Sequence, residues 1–567
     1  MIGWLADYRR DDLASDLIAG IITATLLIPQ AMAYSQLAGL PPQIGLYASM
    51  LPPVLYALFG SSRTLAVGPV AVSSLMLAAA LGTLWPAGSA DYVAGAFIVA
   101  CLVGITLTLM GVARLGVLAN FLSHPVLSGF TNAAALVIIV SQLKHLLGLA
   151  VPQGGVFETV GHLAAGLGGI NEITAAIGAV AILLLVVVAR RGRAWLGRAG
   201  VPDNVAGVAV RLAPLTLVAL ATLAVWLLNL GDAAGVSVVG AIPRGLPEIS
   251  PPAFDMATWA SLLAASVAIA LVSFVESLSV AKVLAARRRE KVDANRELIG
   301  LGVANLGASF TGASPVCGGF SRSVVNFEAG AKTQLAGVIT ALTIAVAAVL
   351  LTPLLFHLPV AALAAIVVVS VAGLFDVHTL RLCWRYNKAD AIAFIGTFAV
   401  VLGVGMEAGI AVGVLVSLAL FLWRTGQPHA AVVGRVGETE HFRNVLRHSV
   451  TTYPGILAIR VDESLYFANS LSLEELLLNA VAERPELEHL VLICNAVNYI
   501  DTSALETLEN VVLELRNANV TVHLAEIKGP VFDRLERTEL LDKLRPGRVF
   551  LSTHEAIEQL TGQAESV

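Results

Sequence analysis

From residue 16 to residue 424 the chain alternates long apolar runs with short polar connections, and after residue 427 the apolar runs shorten to strand length. Roughly 20 helical residues cross the hydrocarbon core of a bilayer. On that scale the first stretch divides into two sets of seven segments. The first set lies near 16–36, 45–60, 68–84, 91–113, 120–147, 172–190 and 203–230. The second lies near 257–286, 294–311, 319–330, 332–352, 354–372, 387–404 and 406–424. Further on, "LVLICNA" and "VTVHLAEI" read as short buried strands separated by amphipathic helices. That pattern predicts a small soluble α/β domain over 437–567, reached through a linker at 425–436.

Composition agrees with the segment count. Of 567 residues, 57% are hydrophobic and 13% charged, and the mean hydropathy is +0.81. A soluble protein of this size needs more charge to cover its surface. A net charge of −5 gives no footprint for nucleic acid. Cys101, Cys317, Cys383 and Cys494 are scattered without a C-x-x-C pair, which argues against a disulfide framework or a zinc site. Residues 1–15 are polar and amphipathic, expected as a cytosolic segment along the membrane surface with no cleavable signal peptide.

Charge also orients the segments. With the N-terminus inside, the inner connections carry Arg9, Arg10, Arg63, Arg114, the basic clusters at 190–198 and 287–296, Lys332, Arg381, Arg385, Lys388 and Arg424. The outer connections hold only Lys144 and Arg244. This is the asymmetry of the positive-inside rule, and a shift of one span would destroy it. It also places the α/β domain in the cytosol.

The third segment of each set is irregular. In "GSSRTLAVGPVAVSSLMLAAALGTLW" (60–85) the chain runs extended through "TLAV" and starts a helix at Gly68-Pro69, where proline gives up an N–H that would have no partner. In "TGASPVCGGFSRSVVNFEAGAKTQLAG" (311–337) Gly318-Gly319 precede a helix of roughly 16 Å, half a bilayer. A helix that begins inside the membrane leaves about four N–H groups unpartnered. Such backbone is tolerated only beside a polar cavity, and its partial positive charge favours an anion. Two such ends in matching places predict inverted repeats (about 16–230 and 257–424) meeting at a midplane anion site, with Arg322 adding a full charge. The simpler alternatives are kinks in packed helices, and an Arg322 that snorkels or pairs with Glu328.

With their neighbours, these residues resemble the SulP (sulfate permease) family of anion transporters. "IPQAMAYSQLAGLPPQIGLYAS" (28–49), "GSSRTLAVGPVAVSSLM" (60–76), "FVESLSVAKVLA" (274–285) and "GGFSRSVVNFEAGAKTQLAG" (318–337) match its first, third, eighth and tenth helices in order, and the C-terminal domain resembles its STAS domain. The resemblance implies an all-α polytopic membrane protein of about fourteen transmembrane helices in two inverted seven-helix repeats. These would divide into core and gate domains, with a cytosolic α/β STAS domain following. It further implies a homodimer and elevator-like transport. It puts Gln30 and Tyr34 in the substrate pocket, Val67, Gly68, Val70 and Ala71 at the first half-helix end, and Gly319, Phe320, Ser321, Arg322 and Ser323 at the second. Gln30 could equally serve as hydrogen-bonding glue between helices.

Glu276 stands alone in the middle of "ALVSFVESLSVAKVL", and an intramembrane carboxylate is costly unless it has a function. The resemblance implies a coupling-ion carboxylate here. Ser277 and Ser279 offer too few oxygens for sodium, so protons are favoured; a structural ion pair with Arg322 or Lys282 is the alternative. Glu407, at the last outer turn, reads as an interfacial residue.

The STAS resemblance maps a phosphorylatable hydroxyl onto Thr502, while Ser503-x-x-Glu506 reads as a capping box. No phosphate loop or catalytic constellation stands out, so neither enzymatic activity nor a cofactor or metal is expected. The expected function is proton-coupled symport of a small dicarboxylate such as fumarate across a bacterial inner membrane. Sulfate or bicarbonate transport is the alternative, and an anion channel or nucleobase transporter a more distant one. Expected partners are the anion, protons, the bilayer, a second copy of the chain and a cytosolic protein at the STAS domain.

Overall fold

The computed structural model describes residues 8–10, 12–117, 123–152, 154–241, 243 and 245–564. Arg244 and most of the 1–15 segment lie outside these residues. The chain forms two compact units, Met1–Ser417 and Leu418–Val567.

Every predicted segment of the first unit contains helix. Its opening helix, α1, spans Asp12–Leu37. The second segment is split into α2, Pro42–Tyr47, and α3, Leu51–Phe59, each opened by prolines in its first turn. Then follow the two-residue strand β1, Val67–Gly68, and α4, Ala71–Gly82. Three longer helices come next: α5, Ala90–Val112; α6, His124–Leu147; and α7, Glu172–Arg198. The seventh segment is also split, into α8, Asp203–Arg211, and α9, Ala213–Leu227, with Pro214 in the first turn of the latter.

The second set opens with α10, Met256–Arg288, and α11, Ala294–Phe310. Strand β2, Cys317–Gly318, leads into α12, Phe320–Glu328. It is followed by α13, Leu335–Leu350, and α14, Val360–Ala372. Helix α15, Val377–Tyr386, is amphipathic, and α16, Lys388–Gly403, and α17, Met406–Thr425, complete the set.

Helices α5 and α11 approach almost backbone to backbone. A Cβ on Gly104 would lie 2.7 Å from the Leu306 nitrogen, and one on Gly302 2.7 Å from the Thr108 nitrogen. Only glycine permits that approach, the usual way of gaining van der Waals contact between helices in lipid.

Two fully buried carboxylates anchor the turns that lead to and from the irregular segments. Glu297 accepts from the Tyr56 hydroxyl at 2.7 Å, the Ser61 hydroxyl at 2.6 Å and the N–H groups of Ser61 and Ser62 at 2.8 and 2.9 Å. It thereby holds the turn that runs into β1. Asp16 accepts from the N–H groups of Lys332 and Thr333 at 2.7 and 3.1 Å and from the Thr333 hydroxyl at 2.5 Å. It holds the turn that follows α12.

The second unit is a six-stranded sheet in the order β4-β3-β5-β6-β7-β8. Its strands are β3, Ala430–Arg435; β4, Phe442–Asn444; β5, Ile456–Val461; β6, His489–Ile493; β7, Thr521–Ala525; and β8, Val549–Phe550. Strands β5 to β8 run parallel and β3 pairs antiparallel with both neighbours. Residues 425–436, expected as a linker, therefore include a strand, because "AAVVGR" alternates well enough to pair with β5. The capping expectation also needs correction. Helix α18, Thr502–Asn517, is capped by Asp501, whose carboxylate accepts from the Ala504 N–H at 2.8 Å, so Ser503 lies inside the first turn.

Candidate functional site at two crossed half-helices

The two irregular segments meet. Strands β1 and β2 pair antiparallel, Val67 opposite Gly318 and Gly68 opposite Cys317. From this bridge α4 and α12 start, with Val70 and Gly319 as extended N-cap residues that offer no side-chain cap. Among the described residues no hydrogen bond satisfies the N–H groups of Ala71, Val72 and Ser73, or of Phe320, Ser321 and Arg322. Six amide donors and two positive helix ends therefore converge on one place.

Arg322 is 2% exposed. Its Nε donates to the Ala66 carbonyl at 2.7 Å and Nη1 to the Pro69 carbonyl at 2.5 Å. Nη2 donates to the carbonyls of Gly68 at 2.8 Å and Cys317 at 2.6 Å. A two-residue ladder satisfies little of the backbone at this depth in the membrane, and a guanidinium fork supplies five donors in a fixed geometry. Four are used here, which leaves one Nη1–H and the whole charge for a ligand. Arg322 neither snorkels nor needs Glu328. A Cβ on Gly319 would lie 2.8 Å from Arg322 Cζ, so the guanidinium fills the space a side chain there would need.

The other predicted residues divide by role. Val67, Val70 and Ala71 are buried and contribute backbone. Phe320 and Ser321 are exposed at the start of α12. Ser323 turns inward: its hydroxyl accepts from the Ala66 N–H at 2.9 Å and donates to the Gly319 carbonyl at 2.6 Å. It locks the crossing and is not free to bind an anion. Gln30 is buried, and its amide makes no hydrogen bond to another described residue. Tyr34 lies within electrostatic reach of both Arg322 and Glu276 and meets the Ser370 hydroxyl of α14.

Glu276 projects from α10 within electrostatic reach of Arg322. It forms no ion pair with Arg322 or Lys282 among the described residues. Its neighbour Ser277 accepts from the Gly318 N–H at 2.8 Å and donates to the Ser273 carbonyl at 2.6 Å, which ties α10 to β2. Sequence reasoning passed over Ser277 in this role, along with Ser370 and two amides. Asn305 holds Val316 by both its N–H and its carbonyl, at 2.9 and 2.8 Å, and Asn326 donates to the Thr64 carbonyl at 3.1 Å. Asn305 and Ser370 are lone polar side chains in apolar spans, and that was the available signal for those two.

Unpartnered amides and a buried cation held at the crossing of two half-helices define a multi-pass membrane transporter for anions. Residues 13–397 match the sulfate permease family and residues 447–556 the STAS domain. The chain belongs to the sulfate permease family of secondary anion transporters. It is 36% identical, over 98% of its length and 81% of the relative's, to Sulfate transporter 4.1, chloroplastic, of Arabidopsis thaliana. It is 33% identical, over 97% of its length and 96% of the relative's, to a probable sulfate transporter of Mycobacterium tuberculosis (strain CDC 1551 / Oshkosh). Its fold is similar to that of the murine Solute Carrier 26 family member A9 anion transporter in the inward-facing state. The TM-score is 0.89 at 23% identity, covering 99% of this chain and 93% of that one. The transmembrane domain of the cyanobacterium bicarbonate transporter BicA aligns with a TM-score of 0.61 at 22% identity, covering 72% of this chain and 98% of that one.

Proposed function

We propose that the protein imports a small divalent oxyanion, sulfate above others, by proton-coupled symport across a bacterial inner membrane. The observation that carries this reading is the convergence of six free amides and the Arg322 charge on the β1–β2 crossing. Each helix end contributes roughly half a positive charge, so with Arg322 the site holds about +2, matched to a dianion. Relatives named as sulfate transporters over nearly the full chain support sulfate over the dicarboxylate expected from the sequence. Bicarbonate, with a single charge, suits the site less well.

Glu276 supplies the coupling. Ionised, it lowers the site's net positive charge and weakens binding of the dianion; protonated, it restores that charge. Anion and proton therefore bind cooperatively, as linkage requires. We further propose a homodimer in which α1, α4, α10 and α12 carry the anion as one elevator body. For the second unit we propose partner docking, with the exposed Thr502 as its phosphorylatable hydroxyl; phosphopeptide mapping of protein from its native host checks the latter.

The test of transport is uptake of labelled sulfate, fumarate and bicarbonate into proteoliposomes, with and without an inward proton gradient. Sulfate accumulation that rises with the gradient is expected. Gradient-driven accumulation of fumarate alone would replace sulfate with a dicarboxylate, and downhill flux without saturation would replace the transporter with a channel.

A further inference from the structure

A cavity of about 460 Å³ opens at the far end of α4 from the crossing. Leu75, Ala78, Ala79 and Gly82 line it, one face of α4 at helical spacing. Gln36 and Leu37 of α1, just beyond Tyr34, line it as well. The opposite wall is α6, with Gln142, Lys144 and His145, and the turn between α16 and α17. By the charge asymmetry this is the outer side of the membrane. The cavity and the crossing are thus joined by a single half-helix of roughly 18 Å and by the last turns of α1.

Lys144 is half-buried in this wall, with no ion-pair or hydrogen-bond partner among the described residues. It is one of only two basic residues assigned to the outer connections. Glu407 follows directly on the lining residue Met406, yet among the described residues it makes no ion pair with Lys144. Membrane helices seldom keep an ammonium beside a cavity without a counterion, because desolvation is costly. A lysine in the last turn of a helix can simply offset the helix dipole. That role does not require a cavity facing it or small residues along the opposite helix.

We propose that this cavity is an outer antechamber in which Lys144 captures a hydrated divalent oxyanion before it reaches the half-helix site. Gln142 and His145 supply further hydrogen-bonding groups beside the ammonium, and the small side chains of α4 leave the cavity its room. The idea rests on the transport reading for its direction of flow, but the electrostatic part can be tested without transport.

Native cysteines are all buried, so a cysteine introduced at Ala79 reports on the cavity with little background. The rates of modification by an anionic and a cationic thiosulfonate reagent are compared in Ala79→Cys, with Lys144 intact, as Lys144→Met and as Lys144→Arg. The anionic reagent should be favoured with Lys144 or arginine present, and the preference should fall at least about fivefold with methionine, as expected for loss of one nearby partly desolvated charge. An unchanged preference in Lys144→Met, with the protein still monodisperse, would overturn the antechamber and leave Lys144 a helix-dipole residue. A second arm measures flux in vesicles of known orientation. Lys144→Met should raise the KM for external sulfate about fivefold or more and leave the KM from the inner side unchanged. Equal changes on both sides would also overturn it. If no anion is carried at all, the labelling arm still answers, so the two readings fail separately.

Discussion

The Nη2 of Arg322 donates to the Gly68 carbonyl at 2.8 Å, so a side chain from one broken helix completes the backbone of the other. This bond and its companions to Ala66, Pro69 and Cys317 make Arg322 both the charge of the site and the clamp that closes it.

Arg322→Ala should therefore lose stability as well as anion binding. Four carbonyls lose a charged donor at a buried crossing, and though the Ala66 carbonyl keeps the Gly319 N–H at 3.2 Å, the cost is roughly 3 kcal/mol or more. Arg322→Lys keeps the charge but cannot reproduce the fork. Thermal unfolding in detergent should rank wild type above lysine above alanine, with sulfate binding in the same order. An alanine variant as stable as wild type would show that the clamp is dispensable.

Cysteines placed at Val70 and at Ser321 should both be shielded by sulfate from a small thiol reagent, because the two helix ends form one site. Protection of one position alone would mean that the crossing presents two unrelated surfaces.

Glu276→Gln should retain binding and counterflow and lose proton-driven accumulation, since glutamine keeps the shape but carries no titrating proton. Uptake is measured against external pH at matched membrane potential. Wild type should fall steeply as pH rises and the proton driving force declines, whereas the variant should be nearly flat. A steep profile in the variant would remove Glu276 from coupling.

The second unit carries its own pH sensitivity. Burial, then the neighbouring His489 and Arg548, push His523 down to about 4. Its Nδ1 accepts from the Arg548 N–H at 3.1 Å, which fixes the neutral ring, with Nε2 3.3 Å from His489. The unfolded chain protonates this histidine near 6.5. The unfolded state thus binds the proton first, and stability complete above pH 6.5 is lost as pH falls toward 4, by up to about 3 kcal/mol. Hydrogen exchange across β7 in the full-length protein should accelerate over that window in wild type and much less in His523→Gln. Equal acceleration in both would place the sensitivity elsewhere.

Much of this architecture is legible in the sequence because bilayer thickness is a fixed ruler. Segment positions, orientation and the two interrupted helices follow from run length, basic residues and Gly-Pro or Gly-Gly pairs, all local properties. The α/β unit is likewise visible in its alternating strands. What local reasoning missed are contacts between residues hundreds apart. Glu297 and Asp16 stand near helix starts with no local sign of burial, yet both are fully buried and hold the turns beside the crossing. Ser323 and Arg322 looked like ligands in the same motif, yet one hydroxyl is consumed and one guanidinium nearly so.

By itself, then, the sequence determined that this is a multi-pass membrane protein with two half-helices and a cation between them, since hydrophobic length and backbone breaks act over a few residues. Which donors remain free for an anion was decided only by the tertiary structure. A hydrogen-bonding group buried at a crossing must take whatever partner the opposing segment offers, and here β1 offered Arg322 its carbonyls before any substrate could.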